Sequence, residues 1–177
     1  VLVVTHKVVS KAEGQLVDLG TITPSDFATR WGEKYNKDPR QVEVVLGEAQ
    51  RIVRMDRGVL IAETRHGFIC ANAAVDHSNV GIDTVCLLPA DPDRSACGIR
   101  DALAARFGLE SGPGVVISDS FGRPWRAGIV NIAIGAAGVA PLEDYRGYHD
   151  PAGYELGVTV LAVADELAGA AELVMNK

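Results

Sequence analysis

The chain opens on an apolar run, and residues 1–5 with Val8 and Val9 read as one buried strand interrupted by the polar pair His6-Lys7. Residues 10–14 read as a loop. Thr23-Pro24-Ser25-Asp26 reads as a helix start, with Thr23 as N-cap and Pro24 in the first turn. Asp38-Pro39 repeats that device. Behind it Val42, Val45, Leu46, Ala49, Ile52 and Val53 recur at three- and four-residue spacing, one face of an amphipathic helix. From Val59 the period changes. Residues 59–63 and 68–75 are strand-like and joined by Thr64-Arg65-His66-Gly67, which predicts a hairpin. A polar loop covers 76–81 and a strand 84–88. Asp91-Pro92 starts a third helix that ends at Phe107, with Gly108 as its C-cap. Residues 115–118 are a strand and 119–126 a loop. The Ala/Gly-rich stretch 128–138 fits a strand or a tightly packed helix, and 158–163 is a strand running into an Ala-rich helix over 165–175.

Helices and strands mix without regular alternation, so the fold class is α+β rather than a doubly wound sheet, with residues 1–177 as one domain. The chain begins inside a strand and stops after a helix, which leads us to expect flanking segments on both sides.

Composition adds exclusions. Hydrophobic residues are 47% and aromatics 6%, so the core should be aliphatic. A net charge of −6 argues against non-specific nucleic-acid binding, although a few local cations suffice for one phosphate group. Cys70, Cys86 and Cys97 form no C-x-x-C pair and read as reduced, buried thiols. No apolar run approaches the roughly 20 residues of a membrane span, and no export signal is present, so a cytoplasmic protein is expected.

Two acidic loops carry the candidate chemistry. Asp76 and Asn79 follow one apolar strand; Asp119 and Ser120 follow another. Carboxylates and a hydroxyl at strand ends suit a hard divalent cation, which takes oxygen ligands from protein and phosphate. The same residues also favour turns for local reasons, and spacing alone leaves both readings open. Cations lie near: Lys7 and Lys11, Arg123 and Arg126 around Pro124-Trp125, and Arg65 with His66. Lys7 needs a balancing charge because it interrupts an apolar strand. His77 and His149 read as surface residues. The phosphate-binding loop G-x-x-x-x-G-K-[ST], the dinucleotide fingerprint G-x-G-x-x-G, the G-x-S-x-G elbow and H-E-x-x-H do not occur.

Beyond spacing, the stretches from Val3 to Gly14 (VVTHKVVSKAEG), His66 to Asn72 (HGFICAN), Val75 to Val80 (VDHSNV), Ser118 to Arg126 (SDSFGRPWR) and Val163 to Ala168 (VADELA) resemble the coenzyme F-420-0:L-glutamate ligase family, the γ-glutamyl ligases. The resemblance spans nearly the whole chain with its motifs in order. It implies an uncommon α+β fold forming an intertwined homodimer. It also implies a GTP-dependent ligase that activates the carboxylate of F-420-0 as an acyl phosphate and joins it to L-glutamate, with a γ-linked tail as a further product. Mg²⁺ or Mn²⁺ at two sites and K⁺ are the implied cofactors. By motif position, Asp76 and Asp119 would be catalytic metal ligands with Ser120, which stands where Thr is common, and His6, Lys7, Lys11 and Asn79 would contact GTP. His6, Gln15 and Asn131 depart from the usual pattern, and Asn131 receives no role. The implied partners are small molecules. Two other readings stay open: an amide ligase with a different carboxylate acceptor, and a non-catalytic nucleotide-binding module.

Overall fold

A computed structural model describes residues 1–175. Along the chain run β1 (Leu2–Thr5), α1 (His6–Ala12), β2 (Leu16–Asp18), α2 (Asp26–Tyr35), α3 (Pro39–Glu48), β3 (Ala49–Asp56), β4 (Val59–Thr64), β5 (Ile69–Ala71), β6 (Thr84–Cys86), α4 (Pro92–Phe107), β7 (Val115–Arg123), β8 (Arg126–Ala137), β9 (Glu143–Asp144), β10 (Val160–Leu161) and α5 (Val163–Met175). The fold is mixed α+β, and the chain divides into two compact units.

The first unit holds Val1–His6, Asp91–Ser120 and the stretch from Gly128 onward. Here β1 pairs parallel with β7, from Leu2↔Val115 to Thr5↔Ser118, and β8 is the other neighbour of β7. Val115, Val116 and Ile117 are fully buried, the continuous apolar run of a strand covered on both faces. Helix α5 contributes Ala164 and Ala168 to a core with Val116, Val3 and Ala133, and such small side chains let the helix approach the strands closely. Asp165 pins that helix further, its carboxylate accepting from the Ala133 N–H at 2.8 Å. Asp91 caps α4 by accepting from the Arg94 N–H, and Gly108 closes the helix in the left-handed conformation, φ 62°. The backbone of Gly135 lies so close to the start of α4 that a Cβ there would meet the carbonyl carbon of Pro92 at 2.5 Å.

The second unit holds Lys7–Ala90 and Phe121–Ala127. Strands β3, β4 and β5 form an antiparallel sheet, and β2 pairs antiparallel with β6. Val44 and Val45 of α3 pack with Leu60 and Ala62 of β4 and with Ala73, Val75, Val85 and Leu19. Burying each of these valine and leucine side chains contributes roughly 1.5–3 kcal/mol, and each alanine less. Helix α2 starts at the N-cap Ser25, whose hydroxyl accepts from the Ala28 N–H and donates to Glu43 of α3 at 2.6 Å. That hydroxyl, with the Ser25 N–H, holds the Glu43 carboxyl below its usual range.

Several elements differ from the sequence expectation. His6–Ala12 is a helix and not a strand with a loop; β-branched Val8 and Val9 favour strands, and tertiary packing of Val9 and Ser10 overrides that preference. The N-cap of α2 is Ser25 and not Thr23. Helix α3 stops at Glu48, and Ile52 and Val53 belong to β3. Two register shifts in β3 break its two-residue alternation, which is why its apolar positions mimic helical spacing. Residues 119–126 are no open loop: β7 runs on to Arg123 and β8 begins at Arg126, leaving a tight turn in which Trp125 is left-handed, φ 58°. The stretch 128–138 is strand rather than helix, and the predicted strand 68–75 is a short strand followed by a 3₁₀ turn over Asn72–Ala74. Cys70 and Cys86 are buried, whereas Cys97 is exposed. Among the described residues no helix is long and apolar enough to cross a membrane.

Candidate functional site

The candidate residues fall into two groups, one in each unit. In the first unit, the parallel register sets Thr5 against Ser118, so the residues that follow, His6 at the start of α1 and Asp119 within β7, stand side by side just past the last β1–β7 pair. His6 Nε2 lies 3.3 Å from Asp119 Oδ1, with the imidazole 1% exposed and the carboxylate 15% exposed. The same Oδ1 accepts from the Ser120 N–H at 2.7 Å. The Ser120 hydroxyl donates to Asn131 Oδ1 at 2.7 Å, and Asn131 Nδ2 donates to Glu172 Oε2 at 2.6 Å. A polar chain therefore runs from the end of β1 through β7 and β8 to α5.

In the second unit, the backbone of Asp76 is clamped to Cys86 by N–H···O bonds of 3.0 and 2.7 Å. Its carboxylate accepts from the Ser78 N–H at 2.7 Å and from the Ser78 hydroxyl at 3.1 Å. Lys7 Nζ sits 2.6 Å from Oδ2, the same carboxylate oxygen that accepts from the Ser78 hydroxyl, and also donates to that hydroxyl. Lys11, one turn further along α1 on the same face, donates to the Asn79 carbonyl at 2.6 Å. Asn79 itself is left-handed, φ 59°. Burial alone would raise the Asp76 carboxyl, but the Lys7 ammonium and the Ser78 donors hold it below the usual carboxylate range. Burial pushes the neighbouring Cys86 thiol up, away from the reactive thiolate.

Sequence-predicted residues thus meet in pairs: His6 with Asp119, Lys7 with Asp76, Lys11 with the backbone of Asn79. The charge that balances Lys7 is Asp76. Arg65 pairs with Glu48, His66 Nε2 lies 2.9 Å from the Pro89 carbonyl oxygen, and Arg123 donates to the Ala127 carbonyl at 2.6 Å, all contacts within the second unit. His77 and His149 are exposed, as expected. Sequence reasoning gave no role to Ser78, Asn131 or Glu172. Ser78 stood inside a quoted motif, Asn131 was visible only as a departure from a pattern, and Glu172 carried no local signal.

Both groups offer oxygen donors, a carboxylate beside a hydroxyl in each case. Among the described residues no three His, Cys, Asp or Glu side chains gather as a metal cluster. A cation here would draw most of its ligands from non-protein oxygens, the habit of Mg²⁺ or Mn²⁺ with phosphate. Asp76 already compensates a cation, the Lys7 ammonium, which keeps its carboxylate ionised. A carboxylate beside a hydroxyl is a donor set that fits such a cation.

A family model described as F420-0:Gamma-glutamyl ligase matches residues 1–177. The coenzyme F420:L-glutamate ligase of Methanopyrus kandleri is 51% identical over 177 residues, covering 100% of this chain and 69% of that protein. The enzyme of the same name from Methanothermobacter thermautotrophicus is 46% identical over 177 residues, with 100% and 69% covered. That of Methanocaldococcus jannaschii is 44% identical, with 100% and 70% covered.

Proposed function

The chain belongs to the F420-0:gamma-glutamyl ligase family, and from that premise we propose that it joins L-glutamate to F-420-0 in a GTP-dependent reaction. The supporting observation is the Asp119–Ser120 pair at the end of the β1–β7 pair, with the buried His6 imidazole 3.3 Å from the carboxylate and Asn131 hydrogen-bonded to the hydroxyl. An acid and a hydroxyl fixed in this way suit a divalent cation better than a surface turn does.

In this reading a carboxylate oxygen of F-420-0 attacks the γ-phosphorus of GTP, the bond to the β-phosphate oxygen breaks, and GDP leaves. The glutamate amine then attacks the acyl carbon of the resulting acyl phosphate, loses a proton and expels inorganic phosphate, leaving an amide. Repetition on the product would build a γ-linked tail. Such chemistry depends mainly on positioning and on charge neutralisation. Asp76, and Asp119 with Ser120, would hold Mg²⁺ or Mn²⁺, which would offset charge on the transferring phosphoryl group. Lys7 and Lys11 present two ammonium groups from one face of α1, suited to nucleotide phosphates, and the exposed Asn79 side chain would meet the nucleotide. His6 would act through Asp119, because its imidazole is buried against that carboxylate. K⁺ and an intertwined homodimer belong to the same reading, in the cytoplasm.

The test is ligation itself. With GTP, L-glutamate, Mn²⁺ and F-420-0, the product should gain one glutamyl residue by mass for each GTP converted to GDP. Turnover only with another carboxylate acceptor would replace the substrate, and GTP binding without turnover would reduce the chain to a nucleotide-binding module.

A further inference from the structure

We propose that Asn131 and Glu172 are positioning residues that turn the Ser120 hydroxyl into an oxygen able only to accept, and so to ligate a divalent cation rather than to donate to a phosphate. The inference rests on the reading of Ser120 as a cation ligand. Glu172 sets the orientation of the Asn131 amide. Its carboxylate oxygen accepts from the Asn131 side chain at 2.6 Å, so the amide nitrogen of Asn131 must be the end that faces Glu172. That choice turns Oδ1 toward Ser120. A carbonyl oxygen cannot donate, so the single hydroxyl proton of Ser120 goes to Asn131 at 2.7 Å. Whatever else Ser120 Oγ meets, it meets as an acceptor.

A free serine hydroxyl rotates and serves cations and anions alike. Here the rotation is settled two hydrogen bonds away, at a side chain on α5. Asn131 is 9% exposed, and burying an amide is costly unless both of its ends are satisfied. The Ser120 hydroxyl and the Glu172 carboxylate satisfy one bond at each end. Partners of this kind, bonded to a ligating group rather than to the metal, set ligand orientation and basicity. Ser120 on β7 and Asn131 on β8 are neighbours across the tight turn that joins the two strands, whereas Glu172 comes from α5, distant in sequence.

The test is a double-mutant cycle on Mn²⁺ affinity, measured by electron paramagnetic resonance with a non-hydrolysable GTP analogue present, so that turnover plays no part. We expect Ser120→Ala to weaken Mn²⁺ binding, and Asn131→Ala to weaken it roughly threefold to tenfold, the worth of about one net hydrogen bond. In the Ser120→Ala background Asn131→Ala should add nothing, because its effect passes through the hydroxyl. Glu172→Ala should cost about twofold, since the Asn131 amide can then face either way. Thermal unfolding checks each variant, and Glu172→Ala carries the same cycle if Asn131→Ala does not fold. Unchanged affinity in Asn131→Ala, or an equal loss in both backgrounds, overturns the inference while leaving Ser120 as a ligand. Unchanged affinity in Ser120→Ala overturns the cation reading of Ser120 and this inference with it.

Discussion

His6 and Asp119, 113 positions apart in sequence, stand in contact because β1 and β7 run parallel with Thr5 against Ser118. The imidazole is buried, and the carboxylate beside it is nearly so. His6→Ala should therefore lower ligation roughly 10- to 100-fold, the range for partners of a metal-binding group. His6→Gln, which keeps a polar group near Asp119, should lose less. Steady-state rates for both variants check this, with thermal unfolding to show that each is folded.

Lys7 and a divalent cation would compete for the same carboxylate. Removing the ammonium in Lys7→Met should strengthen Mn²⁺ binding to the nucleotide-free protein and weaken GTP binding, two effects of opposite sign. Each should be about threefold to fivefold, because the Lys7–Asp76 pair is partly exposed and screened. Calorimetric titration with Mn²⁺ alone and with GTP alone measures both.

Asp38 both caps α3 and pairs with Arg40, accepting from its N–H at 2.8 Å and from its guanidinium at 2.6 Å. The guanidinium hydrogen bond chiefly holds its carboxyl below the usual range. A depressed folded-state value means that the stabilisation is present above the unfolded value of about 3.9 and is lost as pH falls through the lower folded value. Asp38→Asn keeps a capping oxygen but no charge. It should be less stable than wild type at neutral pH by up to about 1 kcal/mol, with the difference vanishing in acid. Denaturant unfolding across that range tests it.

Gly135 has backbone where any other residue needs a side chain, with Pro92 of α4 in the way. Because the obstacle is main chain and cannot swing aside, Gly135→Ala should destabilise the protein by about 1–3 kcal/mol. A lowered thermal midpoint is the expected outcome, and an unchanged one would show that β8 and α4 can separate cheaply.

How much of this was legible follows from where each signal sits. Helix α4 could be read end to end, because Asp91-Pro92 and Gly108 are local devices that carry their own geometry. The strand Val115–Ser118 was legible from its unbroken apolar run. Helix α1 was not, because Val8 and Val9 prefer strands and only distant packing decides against them. The end of α3 was hidden by the register shifts of β3. Among site residues, Asp76, Asn79, Asp119 and Ser120 stood in motifs; Asn131 was hidden because the β7–β8 turn was read as an open loop, and Glu172 because only the docking of α5 brings it in.

The most direct measurement of the central claim is Asp119→Ala in the ligation assay, run beside a GTP-binding titration. Wild type should bind GTP and add glutamate to F-420-0. The variant should fold and still bind GTP, yet form product on the order of 100-fold more slowly or worse. Turnover near the wild-type rate would contradict the account.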